Sequence, residues 1–208
     1  MRLFLVRHGE TDWNKKGIFR GTADVPLSDT GRAQVASLGK AFFDNPIRKI
    51  YSSPLSRALD TAKAIARGRR QERLITIDEG LTDIDRGKWE GLTHQQAKGE
   101  YPELYEKWLL TPQEVQFPGG NTLPHIQNQA RAVIDRIQRE SDGDVVVITH
   151  HVVIRALLCS LLDINLSHFR SFEAFPASIG QLRFEYSKWV LYRLNDVCHL
   201  AETKKSDG

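Results

Sequence analysis

Hydrophobic positions follow two rhythms along this chain. Leu3 to Val6 is a continuous apolar run too short for a helix, and it predicts a buried strand. Asp144 to Thr149, reading DVVVIT, predicts a second strand, apolar on both faces as a central parallel strand must be. Lys49 to Ser52 and Leu74 to Ile77 give two more short strands. Between them the rhythm changes to apolar residues three and four apart. A helix is predicted from about Asp29 to Phe43, capped by Ser28, with Val35, Leu38, Ala41 and Phe42 roughly in register. Ser53-Pro54 offers a cap and a first-turn proline for a helix running to about Ala66. Thr122 to Glu140 is the clearest helix, with Ile126, Ala130, Val133, Ile134 and Ile137 on one face. Thr93 to Leu110 reads as helix broken near Pro102, followed by a Pro- and Gly-rich loop to Gly120, and a further helix spans about Val152 to Leu162. Ile179 to Tyr186 and Trp189 to Leu194 close the pattern as a strand pair near one sheet edge, with a loose polar tail over about 201–208.

Strands alternating with helices predict a layered α/β sandwich with a mostly parallel sheet. At 208 residues the chain suits one domain, 1–208, with a helical insertion over about 93–120. Its 40% hydrophobic and 26% charged residues are ordinary for a soluble protein. The net charge of +3 comes from scattered cations without a dense Lys/Arg run, which argues against nucleic acid as a partner. No apolar stretch approaches the roughly 18 residues of a membrane span. The two cysteines, Cys159 and Cys198, build no disulfide framework and no CxxC, and no signal peptide precedes the first strand, so a cytoplasmic protein is expected.

Ligands of open α/β sheets bind beyond the carboxyl ends of the strands. There, LFLV runs into Arg7-His8-Gly9, VVVIT runs into His150-His151, and KIYSSP leads to a helix carrying Arg57. Two imidazoles and two guanidiniums converging on one rim suit a phosphate: arginines clamp its oxygens, and a neutral histidine can accept the phosphoryl group. The pair His150-His151 also invites a metal. Adjacent strand residues point to opposite faces, however, and no HxH, HExxH or carboxylate-rich companion is present, so neither metal nor cofactor is expected. His94, His125, His168 and His199 are read as ordinary surface or capping residues.

LVRHGETDWN resembles the phosphohistidine motif of the histidine phosphatase superfamily, branch 1, also called phosphoglycerate mutase-like. Further matches follow in the family's order: SSPLSRALDTA at 52–62, LTDIDRGKWEGLT at 81–93, FPGGNTL at 117–123, VVVITHHVVIRALL at 145–158 and NDVCHL at 195–200. The similarity implies a three-layer α/β/α sandwich of the phosphoglycerate mutase-like type. It also implies His8 as the nucleophile, with Arg7, Arg57 and His150 holding the phosphoryl oxygens. Asn14 would help bind the phosphate, Gly9 would let the backbone approach closely, and Arg20-Gly21 would contact the substrate. Cations around His8 are expected to depress its pKa and keep it neutral.

Two positions depart from the family's pattern. Its general acid is usually glutamate, whereas this chain has Asp83, with Asp85 and, more remotely, Glu79 as substitutes. A neutral Asp83 would need desolvation or a nearby phosphate to raise its pKa. His151 stands where the family usually has glycine; its backbone N–H could still reach a phosphate and its side chain would narrow the pocket. The compact length favours hydrolysis of a small phosphorylated metabolite over isomerisation, closest to the family's metal-independent phosphoserine phosphatases, where Arg86 would suit a substrate carboxylate. A cofactor-dependent phosphoglycerate mutase and a non-catalytic phospho-ligand binding module are the alternatives. The resemblance also implies a possible homodimer, although no surface stripe marks an interface.

Overall fold

The computed structural model describes residues 1–68 and 74–204. Six strands form one sheet in the order β3-β2-β4-β1-β5-β6. These are β1 (Arg2–Arg7), β2 (Ile47–Ser52), β3 (Ile75–Ile77), β4 (Asp144–Thr149), β5 (Ile179–Glu185) and β6 (Lys188–Asp196). β1 pairs parallel to β4, and β2 parallel to both β4 and β3, while β5 runs antiparallel to β1 and to β6. The closing strand pair therefore docks on β1 and ends the sheet.

The period-two side-chain alternation of a strand explains why both faces are apolar. Leu3 and Leu5 of β1, with Val145 and Val147 of β4, enter one core under α6 (Leu123–Glu140) and α7 (His151–Leu161). Phe4, Val6, Val146 and Ile148 enter the other, under α2 (Asp29–Ala41) and α3 (Ser56–Gly68), which follow a one-turn α1 (Asp12–Lys15). Thr122 caps α6 by accepting the His125 N–H, and Leu123, Ile126, Ala130, Val133, Ile134 and Ile137 are its buried stripe. α7 is buried almost throughout.

The insertion is the expected broken helix, α4 (His94–Glu100) and α5 (Pro102–Leu110), with Thr93 closing a capping box and Pro102 starting the second segment. Three expectations need correction. α3 starts at Ser56, not at Ser53-Pro54, because Ser53 is still held by the sheet: its N–H donates to the Ile148 carbonyl at 3.0 Å. α7 starts at His151, so His150 and His151 are not strand neighbours. Residues 201–204 complete a 3-10 turn, Cys198–Lys204, rather than a loose tail, and 205–208 lie outside the described residues. Among the described residues, no helix is long and apolar enough to cross a membrane.

Candidate active site

The parallel strands bring their carboxyl ends to one edge, and backbone pairing carries on one residue beyond them. The His8 N–H donates to the Thr149 carbonyl at 3.1 Å, and the Ser53 N–H to Ile148. His8 and Ser53 are thereby fixed by the sheet itself, while His150, the residue after β4, caps α7 with its carbonyl accepting the Ile154 N–H at 2.9 Å. The two imidazoles are fully buried, with ring centroids 5.1 Å apart.

His8 Nδ1 lies 2.6 Å from the Gly9 carbonyl. A carbonyl only accepts, so Nδ1 carries the proton and Nε2 keeps its lone pair. That Nε2 is buried and has no hydrogen-bond partner among the described residues. Burial is the chief reason that the His8 pKa falls well below its ordinary value, with His150, Arg57, Arg7 and Arg20 adding to the effect. The cations contribute as expected from the sequence, but they come second. His150 Nε2 meets the Ser53 hydroxyl at 2.8 Å, and its Nδ1 lies 3.8 Å from Asp83 Oδ2. Burial holds its pKa at about 3, against the opposing pull of Asp83.

Arg57, in the first turn of α3, is fully buried and donates to the carbonyls of Ala23 at 2.7 Å and Gly21 at 2.9 Å. Gly21 has φ +55°, a left-handed backbone that strains any residue with a Cβ, which is why glycine suits this turn. Arg57 Nη2 is 3.6 Å from Asp83 Oδ2, while Asp83 Oδ1 accepts the Ile84 N–H. Burial pushes the Asp83 pKa up, but His150, Arg57, Arg20 and Arg86 together outweigh it and hold the carboxyl below its ordinary value. Asp83 is thus ionised in this structure, not neutralised by desolvation. Asp85 instead accepts the Gly87 N–H at 2.8 Å to close its own turn, and Glu79 is exposed. Neither lines the cavity.

In front of this group lies a cavity of about 280 Å³, at the small end for ligand pockets. Five guanidiniums (Arg7, Arg20, Arg86, Arg155 and Arg170) and one carboxylate, Asp83, line it among the described residues. Asn14, Gly21 and His151 also line it. Asn14 Oδ1 is occupied by the Thr11 N–H and hydroxyl, both at 2.9 Å, which leaves its amide NH₂ to offer. Gly9 does not line the cavity, and its N–H donates to Thr61. It must be glycine because a Cβ would strike Val35 at 2.7 Å and the Gly31 carbonyl at 2.9 Å, so packing against α2 imposes the residue.

Arg86 is 7% exposed, with its guanidinium 4.8, 4.7 and 5.1 Å from the ring centroids of Phe19, Trp108 and Phe117. Its Nη1 has no hydrogen-bond partner among the described residues, and burial lowers its pKa to about 10, leaving it charged at neutral pH. The aromatic wall of Trp13, Phe19, His94, Trp108 and Phe169 has no signature in the sequence. His94 is exposed, as its surface reading expects, yet its ring packs at a tilt against Phe19, centroids 4.4 Å apart, and bonds the Tyr105 hydroxyl at 3.0 Å. Its place at the start of a helix after a capping threonine is the one signal that could have found it. Among the described residues, no group of three or more His, Cys, Asp or Glu side chains is placed to hold a metal ion.

Residues 3–197 match the family described as histidine phosphatase superfamily (branch 1). Phosphoserine phosphatase 1 of Hydrogenobacter thermophilus is 34% identical over 97% of this chain and 95% of its own length. A phosphoserine phosphatase mutant from Entamoeba histolytica, solved in complex with phosphoserine, superposes with a TM-score of 0.83 at 28% identity, over 96% of this chain and 98% of that one. A mycobacterial glucosyl-3-phosphoglycerate phosphatase, solved with VO₃, superposes with a TM-score of 0.86 at 27% identity, over 93% and 98% of the two chains.

Proposed function

The chain belongs to branch 1 of the histidine phosphatase superfamily and is a small-metabolite phosphatase of that type; from this premise we propose that it hydrolyses a phosphomonoester bearing a carboxylate, with His8 as its nucleophile. The observation that carries this reading is the buried, neutral His8, its Nε2 lone pair unpartnered among Arg7, Arg20 and Arg57. An imidazole in that state attacks phosphorus, and the guanidiniums stabilise the charge that spreads over the equatorial oxygens. His150, held by Ser53, donates toward the same oxygens.

The leaving oxygen needs a proton. Asp83 is ionised in the free protein, so the proton arrives with the substrate, whose phosphate has a second pKa of about 6. A bound monoanion gives that proton to Asp83, whose pKa rises as the phosphate's negative charge comes close. His8 Nε2 forms the P–N bond, the ester P–O bond breaks, and Asp83 protonates the departing alkoxide. A water then attacks the phosphohistidine and gives its proton to Asp83 as the P–N bond breaks, and Asp83 passes that proton to the departing inorganic phosphate, which restores the carboxylate and neutral His8.

Arg86 supplies the preference for a carboxylate. A buried guanidinium with an unmet N–H is costly, and a carboxylate delivered by the substrate satisfies it. Phosphoserine and phosphoglycerate have this shape, and the relatives named for such substrates support the choice. The same reading treats 1–208 as one domain, supported by two cores that share a single sheet. It takes the protein as a homodimer, supported by the open edge strand β6 with Val190 and Tyr192 exposed, which sedimentation would test. It places the protein in a reducing, cytoplasmic setting, supported by the unpaired, exposed Cys198.

A ³¹P NMR time course in excess EDTA tests the activity. Phosphoserine, 3-phosphoglycerate and phosphoethanolamine serve as substrates, with and without a bisphosphoglycerate primer, and His8→Ala is the control. Free phosphate is expected from the two carboxylated esters well ahead of phosphoethanolamine, and only with His8 present. Equal rates on all three would remove the carboxylate from the reading. Primer-dependent isomerisation of phosphoglycerate without release would replace hydrolysis.

A further inference from the structure

The sequence suggests that His151 meets a phosphate through its backbone, yet its side chain is turned to a different partner. His151 Nε2 lies 2.6 Å from Glu173 Oε1, which also accepts the Ala174 N–H at 2.9 Å. Glu173 Oε2 takes Arg155 Nη2 at 3.1 Å, and Arg155 reaches the neighbouring Phe172 carbonyl through Nε. Two side chains of α7 thus grip one end of the segment that leads into β5.

That segment is strapped across the end of β1. The Ala174 carbonyl accepts Arg7 Nη1 at 2.7 Å, the Ser178 carbonyl accepts the Arg7 N–H at 3.2 Å, and the Ala177 N–H donates to the His8 carbonyl at 3.1 Å. Ala177 follows the strap at φ +57°, a left-handed conformation unusual for alanine. The far side is tied by Asn195, whose side chain accepts the Phe175 N–H at 2.6 Å. Among the described residues, Arg7 makes no second side-chain hydrogen bond that fixes its guanidinium, and its Nε is buried without a partner. Where Arg7 points therefore depends on where Ala174 sits, and Ala174 sits where Glu173 is held.

We infer that His151 is a positioning residue for the reaction: through Glu173 and Ala174 it sets the guanidinium of Arg7 against the transferring phosphoryl group. The inference rests on the reading of Arg7 as a phosphoryl clamp. Glu173 also places a negative charge near Arg7 that favours its protonated form, against the burial that lowers its pKa to about 9. A misplaced clamp is felt most where charge develops, so the loss belongs in the transition state more than in ground-state binding.

The test compares His151→Phe, which keeps the ring volume but removes the donor, with His151→Gln, which restores an N–H near the position of Nε2. Each is read by kcat, KM and inhibition by orthovanadate, a mimic of the pentavalent phosphoryl state, with melting curves to establish that the variants are folded. His151→Phe should lower kcat about tenfold, keep KM within about twofold and weaken vanadate by the factor lost in kcat, while His151→Gln recovers most of both. Because His151 acts through Arg7, His151→Phe should add less than about twofold to the loss already caused by Arg7→Lys. A folded His151→Phe with wild-type kcat and vanadate affinity overturns the inference, as does full additivity with Arg7→Lys, which would mean that His151 acts on the substrate directly. If Arg7→Lys itself is as active as the wild type, the reading of Arg7 as a clamp falls, and the inference falls with it.

Discussion

The inner and outer halves of the site are made in different ways: the inner one lies behind the cavity, and the outer one lines it. The inner half hangs on the sheet: His8, His150 and Ser53 each lie one residue past a parallel strand and are fully buried; backbone bonds of His8 and Ser53 continue the ladder, and the His150 ring is held by the Ser53 hydroxyl. The outer half comes from the loop that carries Arg86, from the insertion with His94 and Trp108, and from the chain between α7 and β5 with Phe169 and Arg170, held by ring contacts, cation–π contacts and hydrogen bonds of His94 with the Tyr105 hydroxyl and of Arg170 with the Trp108 carbonyl. A ladder fixes positions to the tolerance that chemistry at phosphorus needs, whereas stacked rings accept substitution and still close the wall. On the proposed reading, chemistry centres on the sheet's edge and substrate choice on the outer wall.

The hardest way to break this division is at the nucleophile. His8→Ala should lower phosphatase activity by at least about 10⁴-fold, since the reaction then has no nitrogen to accept the phosphoryl group at that point. Acid-quenched, ³²P-labelled protein should hold an acid-labile phosphate in the wild type and none in His8→Ala. An active His8→Ala would move the chemistry out of the inner half altogether.

Asp83→Asn comes next and sharpens the assignment of the acid. With phosphoserine, whose alkoxide must be protonated, kcat should fall about 10²- to 10³-fold. With p-nitrophenyl phosphate, whose leaving group departs as a stable anion, the fall should stay under about tenfold. Equal losses on both substrates would mean that Asp83 serves the phosphate rather than the leaving oxygen. Asp85→Asn should show neither effect, because its carboxylate is spent on the Gly87 N–H.

How much of this is legible in the chain follows the same line. Arg7-His8-Gly9 and His150 stand out because a buried strand that stops on a cation and an imidazole needs polar partners or a ligand at its end, and Arg57 follows from its place one turn into a helix. Ser53 reads as a helix cap because serine before proline suits one, and nothing local reveals a partner 97 residues away. Phe19 and Trp108 are invisible as walls, since an aromatic residue lining a cavity and one filling a core have the same pattern. Glu173 lies in a stretch with no periodicity, and its role depends on a carbonyl one residue on that meets Arg7 across 167 residues. Strand ends declare themselves in sequence; loops that meet them do not.

The outer half is tested by Arg86→Met, which fills the aromatic cage without its charge. With phosphoserine, kcat/KM should fall about 10- to 100-fold, mostly through KM, the worth of one charged hydrogen-bonded contact of about 1.5–3 kcal/mol. Phosphoethanolamine, which has no carboxylate, should be hydrolysed at the wild-type rate, so the ratio of the two substrates is the informative quantity. A parallel fall on both would place Arg86 with the phosphate and dissolve the boundary between the halves.

The smallest effect separates the halves without any substrate. Burial lowers the pKa of His8 and of His150, the latter to about 3, below the ordinary histidine value of 6.5. His151 is likewise held low, by burial and then by Arg7 and Arg155. Between the folded and unfolded values, the unfolded chain binds protons that the folded one refuses. The stability held above pH 6.5 is therefore lost progressively as the pH falls from 6.5 toward 3. Each such histidine adds at most about 1.4 kcal/mol per pH unit to that slope. Urea unfolding of the free protein from about pH 7.5 to about pH 4.5 should show the midpoint falling, and His150→Gln should flatten the curve while lowering its plateau. His94→Gln should flatten the slope less, because the His94 pKa is lowered too, by burial and then by Arg86 and Arg170, but its ring on the outer wall is exposed. If both variants flattened it equally, burial would not distinguish the sheet-borne half from the insertion, and the slow loss of stability in acid would belong to the whole cavity.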